Sequence, residues 1–141
     1  SINNIIYDYY IMDYKDTWYT NLKQSKLTPP NYVFSIVWPI LYITIFISFM
    51  LVFFSKKCKS WCLPLTFFVI GFVFNVLWSY IFFTKKKPTL ALIDLGLVIL
   101  FNILTMVYTY PINPLASYIL LPYMIWISFA FYLNLTIVLQ N

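Results

Sequence analysis

The chain has 141 residues, of which 62% are apolar and 23% aromatic, whereas only 9% are charged. Soluble domains carry about 25% charged residues, so this composition indicates a multi-span membrane protein, and its length suits one bundle. The sequence contains no His, Arg or Glu and only two Gly, which excludes a Ser-His-Asp triad, a His-rich metal site and a Gly-rich phosphate loop. The net charge is +5, and most of the lysines lie in loops beside apolar stretches. This position favours a role of the lysines in membrane topology over nucleic-acid binding.

The first segment, residues 1–31, is not predicted to cross a membrane. Asp8, Asp13, Lys15 and Asp16 interrupt it, and no uncharged run in it approaches the ~20 residues that a span needs. From residue 18 it is a polar, amphipathic connector that ends at a pair of prolines. Proline starts a helix well but cannot continue one, so this pair marks the entry into the first membrane helix.

Four apolar stretches follow the connector, and three of them carry no charge, while the third contains Asp94. Each exceeds the ~20 residues needed to cross a hydrocarbon core of about 30 Å. The loops between them are a few residues long, which forces neighbouring helices to be antiparallel. We therefore predict an all-α, multi-pass bundle, one membrane domain over 1–141, with spans at 32–54, 61–83, 89–110 and 115–139.

The lysines predict the orientation of this bundle. One side carries six, three of them in the 85–87 loop, and the other side carries three, in the 56–59 loop. By the positive-inside rule, the 85–87 loop, the proline pair and the C-terminus face the cytosol.

The two cysteines and the one acidic residue within a predicted span are candidates for a chemical role. Cys58 and Cys62 cannot complete a zinc site by themselves, and we expect two unpaired thiols in a loop or at a helix end, with no need for an oxidising compartment. Asp94 is either a functional carboxylate within the membrane or an Asp that interacts with the helix dipole, a backbone group or Lys.

Aromatic residues recur on one face of several spans. The stripe that contains Trp38 and Tyr42 has helical spacing, and Trp78 and Trp126 lie on comparable faces of later spans. Asn75 and Asn134 should face the bundle interior, because polar groups in lipid need partners. Such positions are either interhelical contacts alone or the lining of one cavity for a large, flat, apolar ligand.

Three blocks of residues, in order and at matching spacing, resemble the translocator protein family, also called tryptophan-rich sensory proteins or the peripheral-type benzodiazepine receptor family. The first block lies before and within the first span: Trp18-Tyr19, Leu22, Pro29-Pro30, Val33, Val37-Trp38 and Leu41-Tyr42. The second comprises Asn75, Trp78, Phe82-Phe83, Ala91-Leu92 and Asp94, and the third Leu115-Ala116, Pro122-Tyr123, Trp126, Phe129 and Leu133-Asn134.

The resemblance implies a five-helix membrane bundle that binds tetrapyrroles, sterols and synthetic isoquinoline or benzodiazepine ligands. Only seventeen residues precede Trp18, so we expect the first helix to be truncated or missing. The family connector, here about 17–31, lids the ligand cavity. Members are often dimeric, so a homodimer is one expected assembly. They lie mainly in the outer mitochondrial membrane of eukaryotes and otherwise in a bacterial membrane.

We therefore expect a protein that binds hydrophobic ligands such as porphyrin, haem or a sterol, in connection with transport, and that contacts lipid but no nucleic acid. The expected ligand-binding residues, of which Leu90 replaces a family Trp, are Trp38, Tyr42, Asn75, Trp78, Leu90, Tyr123, Trp126, Ala130, Leu133 and Asn134. We expect no catalytic residue, metal site or bound cofactor. The alternatives are light-dependent degradation of porphyrins through a Trp, as proposed for the family, and a structural scaffold that binds nothing.

Overall fold

The computed structural model describes residues 26–141, except for the side chain of Asn31. These residues form helices and connecting turns with no strand, which confirms the all-α class. The helices are α1 (Asn31–Phe53), α2 (Leu63–Ser79, continued by a π-helical turn over Tyr80–Thr84), α3 (Pro88–Thr109), α4 (Pro114–Ile119) and α5 (Leu121–Gln140). The expected first helix, and the 17–25 part of the connector, lie outside the described residues.

Four apolar segments in the described part of the chain are long enough to cross a membrane. They are Tyr32–Phe53, Leu63–Thr84, Pro88–Thr109 and Pro114–Gln140. Large apolar side chains cover their outer surfaces, as expected of helices whose outward faces contact lipid tails.

Prolines begin most of these helices. Pro64, Pro88, Pro114 and Pro122 each occupy one of the first two positions of a helix, where a backbone N–H has no acceptor within the helix. Asn113 also caps α4, because its side chain accepts hydrogen bonds from two backbone N–H groups of the first turn.

Helix α3 lies at the centre of the packing, against α2, α4 and α5, while α1 contacts α2, α4 and α5. Helices α2 and α3 approach closely at Gly71, where an added Cβ would lie 3.4 Å from the Cβ of Phe101. The buried apolar residues form three clusters along the bundle. One surrounds Leu95 and Ile127, one lies at the 56–62 loop around Val52 and Leu65, and one lies at the opposite end around Phe82.

Two of the spans depart from a continuous α-helix. The last is interrupted at Leu120, because Pro122 has no N–H to donate to a carbonyl one turn earlier. The second ends in the π-helical turn, where the N–H of Lys85 donates to the carbonyl of Tyr80, five residues earlier. Neither departure follows from hydrophobic periodicity, which reports only that the segments are apolar.

The expectation of two unpaired thiols is wrong. Cys58 and Cys62 form a disulfide in the loop between α1 and α2, with their Cα atoms 5.3 Å apart. Ser60, between them, adopts a left-handed φ of 65°, which turns the chain back on itself. The half-cystine at 58 is buried against Val52 and Leu65. Only the spacing of the two thiols can be read from the sequence, whereas their pairing depends on this loop conformation.

Candidate functional site

A cavity of about 480 Å³ lies between α1, α2 and α5. This volume is within the range of small-molecule sites in proteins, roughly 300–1,000 Å³. The cavity is lined by Phe34, Ser35, Trp38, Pro39, Tyr42, Asn75, Trp78, Ser79, Phe82, Phe83, Ala130, Leu133, Asn134 and Ile137. These residues come from the first half of α1, the end of α2 with its π-helical turn, and the second half of α5. Because neighbouring spans are antiparallel, all three segments lie at the same end of the bundle, the end of the 85–87 loop.

Indole and phenyl rings form much of the wall. Trp38 stacks on Tyr42 within α1, with ring centroids 5.7 Å apart and planes inclined by 29°. Trp78 stacks on Phe82 within α2 at 5.3 Å and 28°. Two stacked aromatic pairs from different helices therefore face the same cavity, and such surfaces suit a flat apolar ligand.

Pro39 interrupts the hydrogen bonding of α1 beside these rings. It has no N–H to donate to the carbonyl of Ser35, and both residues line the cavity. The helix nevertheless continues through Pro39 to Phe53.

One chain of hydrogen bonds joins α1, α2 and α5 at the cavity wall. The Tyr42 hydroxyl donates to Oδ1 of Asn75 at 3.0 Å, and Nδ2 of Asn75 donates to the Tyr123 hydroxyl at 2.6 Å. Asn75 is only 4% exposed. A buried amide must satisfy its polar atoms, and this one does so by linking three helices.

A second polar chain joins α2, α5 and the start of α3. Nε1 of Trp78 donates to Oδ1 of Asn134 at 2.9 Å, and Nδ2 of Asn134 donates to the carbonyl oxygen of Pro88 at 3.0 Å. Asn134 is 2% exposed. The expectation that both asparagines face the bundle interior is confirmed, and both are interhelical links as well as cavity residues.

Seven of the ten residues expected from the sequence line the cavity: Trp38, Tyr42, Asn75, Trp78, Ala130, Leu133 and Asn134. Tyr123 is buried, is not part of the lining, and accepts a hydrogen bond from the amide of the cavity residue Asn75. Trp126 packs edge-on against Trp38, with centroids 6.2 Å apart, and against Phe34 at 5.5 Å.

Three of the ten expected residues, Tyr123, Trp126 and Leu90, are therefore not part of the lining of this cavity. The three indoles do not all line one cavity, because Trp126 lies behind Trp38 rather than beside it. Leu90 does not line the cavity either, and its side chain is 46% exposed. It occupies the third position of α3, and the buried face of that helix passes through Ala91, Asp94 and Leu95.

The cavity also contains residues that were not among the expected ten: Phe34, Ser35, Pro39, Ser79, Phe82, Phe83 and Ile137. Helical spacing in the sequence places several of them on the same helix faces as the expected residues. Phe34 lies one turn before Trp38, Ser79 and Phe82 share a face with Asn75, and Ile137 follows Asn134 by three residues. Phe83 lies within the π-helical turn, for which the sequence has no clear signal.

Asp94 is 5% exposed and is the seventh residue of α3, beyond the first turn where the helix dipole favours an acid. Among residues 26–141 its buried Oδ2 atom has no hydrogen-bond partner, neither a Lys nor a backbone group. The structural explanations that involved the first helical turn or Lys are therefore not supported in the described part. Asp94 is also absent from the cavity lining.

No charged side chain from the described residues lines the cavity. The same residues contain no group of three His, Cys, Asp or Glu side chains that could hold a metal ion. The side-chain amides of the cavity residues Asn75 and Asn134 form hydrogen bonds with hydroxyl, indole and carbonyl groups of the protein. The site is thus an uncharged, aromatic cavity that offers stacking surfaces and a few fixed polar groups.

Comparison with known proteins adds the family. The model of the TspO/MBR family matches residues 5–139. The tryptophan-rich protein TspO of Archaeoglobus fulgidus is 37% identical over 126 residues, which cover 89% of this chain and 80% of the relative. The tryptophan-rich sensory protein of Cereibacter sphaeroides is 31% identical over 84% of this chain and 73% of its own length.

A human protein is also similar to this chain. The translocator protein of Homo sapiens is 33% identical over 122 residues, which cover 83% of this chain and 70% of the relative. The family match, these relatives and the four apolar helices agree with the resemblance noted in the sequence. The chain is a membrane protein that belongs to the TspO/MBR family.

Proposed function

We propose that this protein binds a flat, hydrophobic small molecule, such as a tetrapyrrole or a sterol, in the cavity between α1, α2 and α5, and that binding is linked to transport or sensing. The observation that carries the proposal is the cavity itself, about 480 Å³ with Trp38, Tyr42, Trp78 and Phe82 in its wall. Tight packing at this position would leave no room for a ligand. The names of the relatives, a translocator protein and a sensory protein, are consistent with such a role.

The experiment is a titration of the purified full chain, in a neutral detergent, with protoporphyrin IX, followed by quenching of Trp fluorescence. We expect saturable quenching, and at least tenfold weaker binding for Trp38→Ala, which corresponds to about 1.4 kcal/mol. Trp61→Ala is the matched control. Trp61 is half exposed at the opposite end of the bundle, where its Nε1 donates to Thr66.

Quenching that does not saturate, or an unchanged affinity in Trp38→Ala, would contradict ligand binding in this cavity. A melting temperature that does not rise with protoporphyrin IX would favour a scaffold whose aromatic residues serve only for packing, because a ligand that binds the folded state stabilises it.

The second candidate is light-dependent degradation of a bound porphyrin. The observation that favours it is the contact between Trp38, which lines the cavity, and Trp126, which lies behind it. An illuminated mixture with protoporphyrin IX should then give a product that is absent in the dark and without protein. Loss of this product in Trp126→Phe, with porphyrin affinity retained, would assign the chemistry to the indole pair. Equal product with and without protein would exclude enzymatic degradation under these conditions.

A further inference from the structure

An open groove lies at the other end of the bundle from the cavity, beside the 56–59 loop. It has a volume of about 500 Å³ and is lined by Phe46, Ile47, Met50, Leu51, Phe54, Ser55 and Asn113. None of these residues lines the cavity between α1, α2 and α5. The groove runs along the last two turns of α1 and ends at the residue that caps α4.

The apolar part of the groove has the form of an acyl-chain site. Its five apolar residues, from Phe46 to Phe54, lie at helical spacing on one face of α1 and its C-cap. With a rise of 1.5 Å per residue, this face extends about 12 Å along the helix. Both end residues are exposed. In a membrane, such a strip contacts a hydrocarbon chain that runs parallel to the helix.

The polar end of the groove is held by hydrogen bonds of Lys57. Ser55 and Asn113 are the polar residues of the wall. The Ser55 hydroxyl accepts from the backbone N–H of Lys57 at 3.3 Å. Nζ of Lys57 donates to the carbonyl of Pro111, two residues before Asn113, at 3.2 Å. These bonds, one to each side of the groove, place the ammonium group of Lys57 at its polar end.

Aromatic side chains indicate that this end lies at the membrane surface. Trp61, Tyr110 and Tyr118 are exposed at the same end of the bundle, and Trp and Tyr are enriched at the level of lipid headgroups. Half of the hydrocarbon core is about 15 Å thick, slightly more than the length of the apolar strip. The groove therefore has the depth and direction of one phospholipid, with the headgroup at the loop.

The charges at this end favour an anionic headgroup. Lys56, Lys57 and Lys59 are exposed in the loop. The one acidic residue among 26–141 is Asp94, which lies in the first half of α3, toward the opposite end. An ammonium group has three N–H donors, and the bond to Pro111 uses one of those of Lys57.

We propose that this groove binds one anionic phospholipid, with an acyl chain along α1 and its phosphate on the ammonium group of Lys57. Hydrogen bonds between ammonium and phosphate are charge-assisted and therefore stronger than neutral ones. A zwitterionic lipid has the same chains and phosphate, but its own cationic group is repelled by the three lysines of the loop. The site is separate from the cavity and does not depend on the ligand proposed there.

The test is photo-crosslinking of the full chain in vesicles with equal parts of dioleoyl phosphatidylglycerol and dioleoyl phosphatidylcholine, which share their acyl chains. The photoreactive residue p-benzoylphenylalanine replaces Phe54 in one protein and Phe46, deeper in the groove, in a second. Mass spectrometry measures the adducts with each lipid. We expect phosphatidylglycerol adducts to exceed phosphatidylcholine adducts about fivefold, the factor that corresponds to one lysine near a charged membrane surface.

Variants of Lys57 assign the preference to its ammonium group. Lys57→Gln should bring the ratio of adducts near one, and Lys57→Arg should keep it, because a guanidinium group also binds phosphate. The matched control is Lys85→Gln, which removes the same charge at the opposite end of the bundle and should leave the ratio unchanged. The reference position is Val73, which is exposed on α2 and lines neither the groove nor the cavity. Crosslinking from there should give a ratio near one.

Equal ratios of adducts at positions 54 and 73 would overturn the proposal. A preference for phosphatidylglycerol that survives Lys57→Gln would also overturn it, as would one that falls equally in Lys85→Gln, since the lysines would then act only through the total charge. Crosslinks from position 54 to a second copy of the chain, in place of lipid adducts, would show that the groove is a protein interface and would refute the lipid site.

Discussion

The indole N–H of Trp78 is bonded to the side-chain carbonyl of Asn134, with 2.9 Å between Nε1 and Oδ1. The same amide donates to the carbonyl of Pro88 at 3.0 Å. One buried side chain thereby holds the ends of α2 and α5 and the start of α3 together around the cavity. This relationship connects the stability of the bundle with the shape of the site.

Replacement of Asn134 by Leu should therefore destabilise the bundle. It removes both bonds and leaves the Trp78 N–H and the Pro88 carbonyl without this partner. Interhelical hydrogen bonds of this kind are worth on average about 0.6 kcal/mol and rarely above about 1.7 kcal/mol in membranes, so we expect a loss near 1 kcal/mol. The measurement is thermal unfolding in detergent, followed by circular dichroism.

The control for Asn134→Leu is Ser128→Ala on the same helix. Ser128 is exposed, and its hydroxyl bonds only to the backbone of Met124 in its own helix. This variant should melt close to the unmodified chain. If Asn134→Leu melts no lower than Ser128→Ala, the amide does not stabilise the packing of the three helices.

The chain from Tyr42 through Asn75 to Tyr123 predicts an order of effects. Tyr42→Phe removes one hydrogen bond and leaves the 2.6 Å bond between Asn75 and Tyr123. Asn75→Leu removes both bonds and leaves two hydroxyl groups without their amide partner. Because Asn75→Leu breaks two interhelical hydrogen bonds and Tyr42→Phe breaks one, Asn75→Leu should lower the melting temperature more than Tyr42→Phe.

Tyr108→Phe is the control, because it removes a tyrosine hydroxyl that does not belong to the hydrogen bonds between Tyr42, Asn75 and Tyr123. Tyr108 is 46% exposed on α3 and packs its ring against Phe67. Its replacement should leave the melting temperature nearly unchanged. Equal melting temperatures for Tyr42→Phe and Asn75→Leu would show that Asn75 is not the central link.

The disulfide between Cys58 and Cys62 predicts which side of the membrane its loop faces. Disulfides persist in oxidising compartments, and the distribution of lysines assigns this loop to the side away from the cytosol. In intact bacterial cells that express the chain, a membrane-impermeant phosphine should reduce the bond and allow labelling by an impermeant maleimide. Labelling only after the membrane is permeabilised would reverse the predicted orientation.

The same bond should contribute to stability. In the chain-entropy model, a bridge that closes a loop of about five residues is worth about 2 kcal/mol. Cys58→Ser/Cys62→Ser should lower the melting temperature accordingly, and a reductant should lower that of the unmodified chain by a similar amount while leaving the variant unchanged. A reductant effect on the variant would show that the change does not come from this bond.

The membrane-bundle class and most of the cavity residues could be predicted because they depend on local, periodic properties. Runs of about 22 uncharged residues can satisfy their backbone groups in lipid only as helices, so composition alone indicates the spans. Helical spacing then places Trp38 with Tyr42, and Asn75 with Trp78, on single faces, and buried amides such as Asn134 must point inward. The family could be recognised for the same reason, because its motifs consist of these residues.

Other features depended on contacts between segments distant in sequence. The sequence places Trp126 and Leu90 on helices, but it does not determine how those helices are rotated relative to α1. In the structure, Trp126 lies behind Trp38, and Leu90 lies at the exposed surface. The pairing of Cys58 with Cys62 required the turn at Ser60. Periodicity determines which residues share the face of one helix, whereas the packing of helices against each other decides which faces meet and where space remains between them.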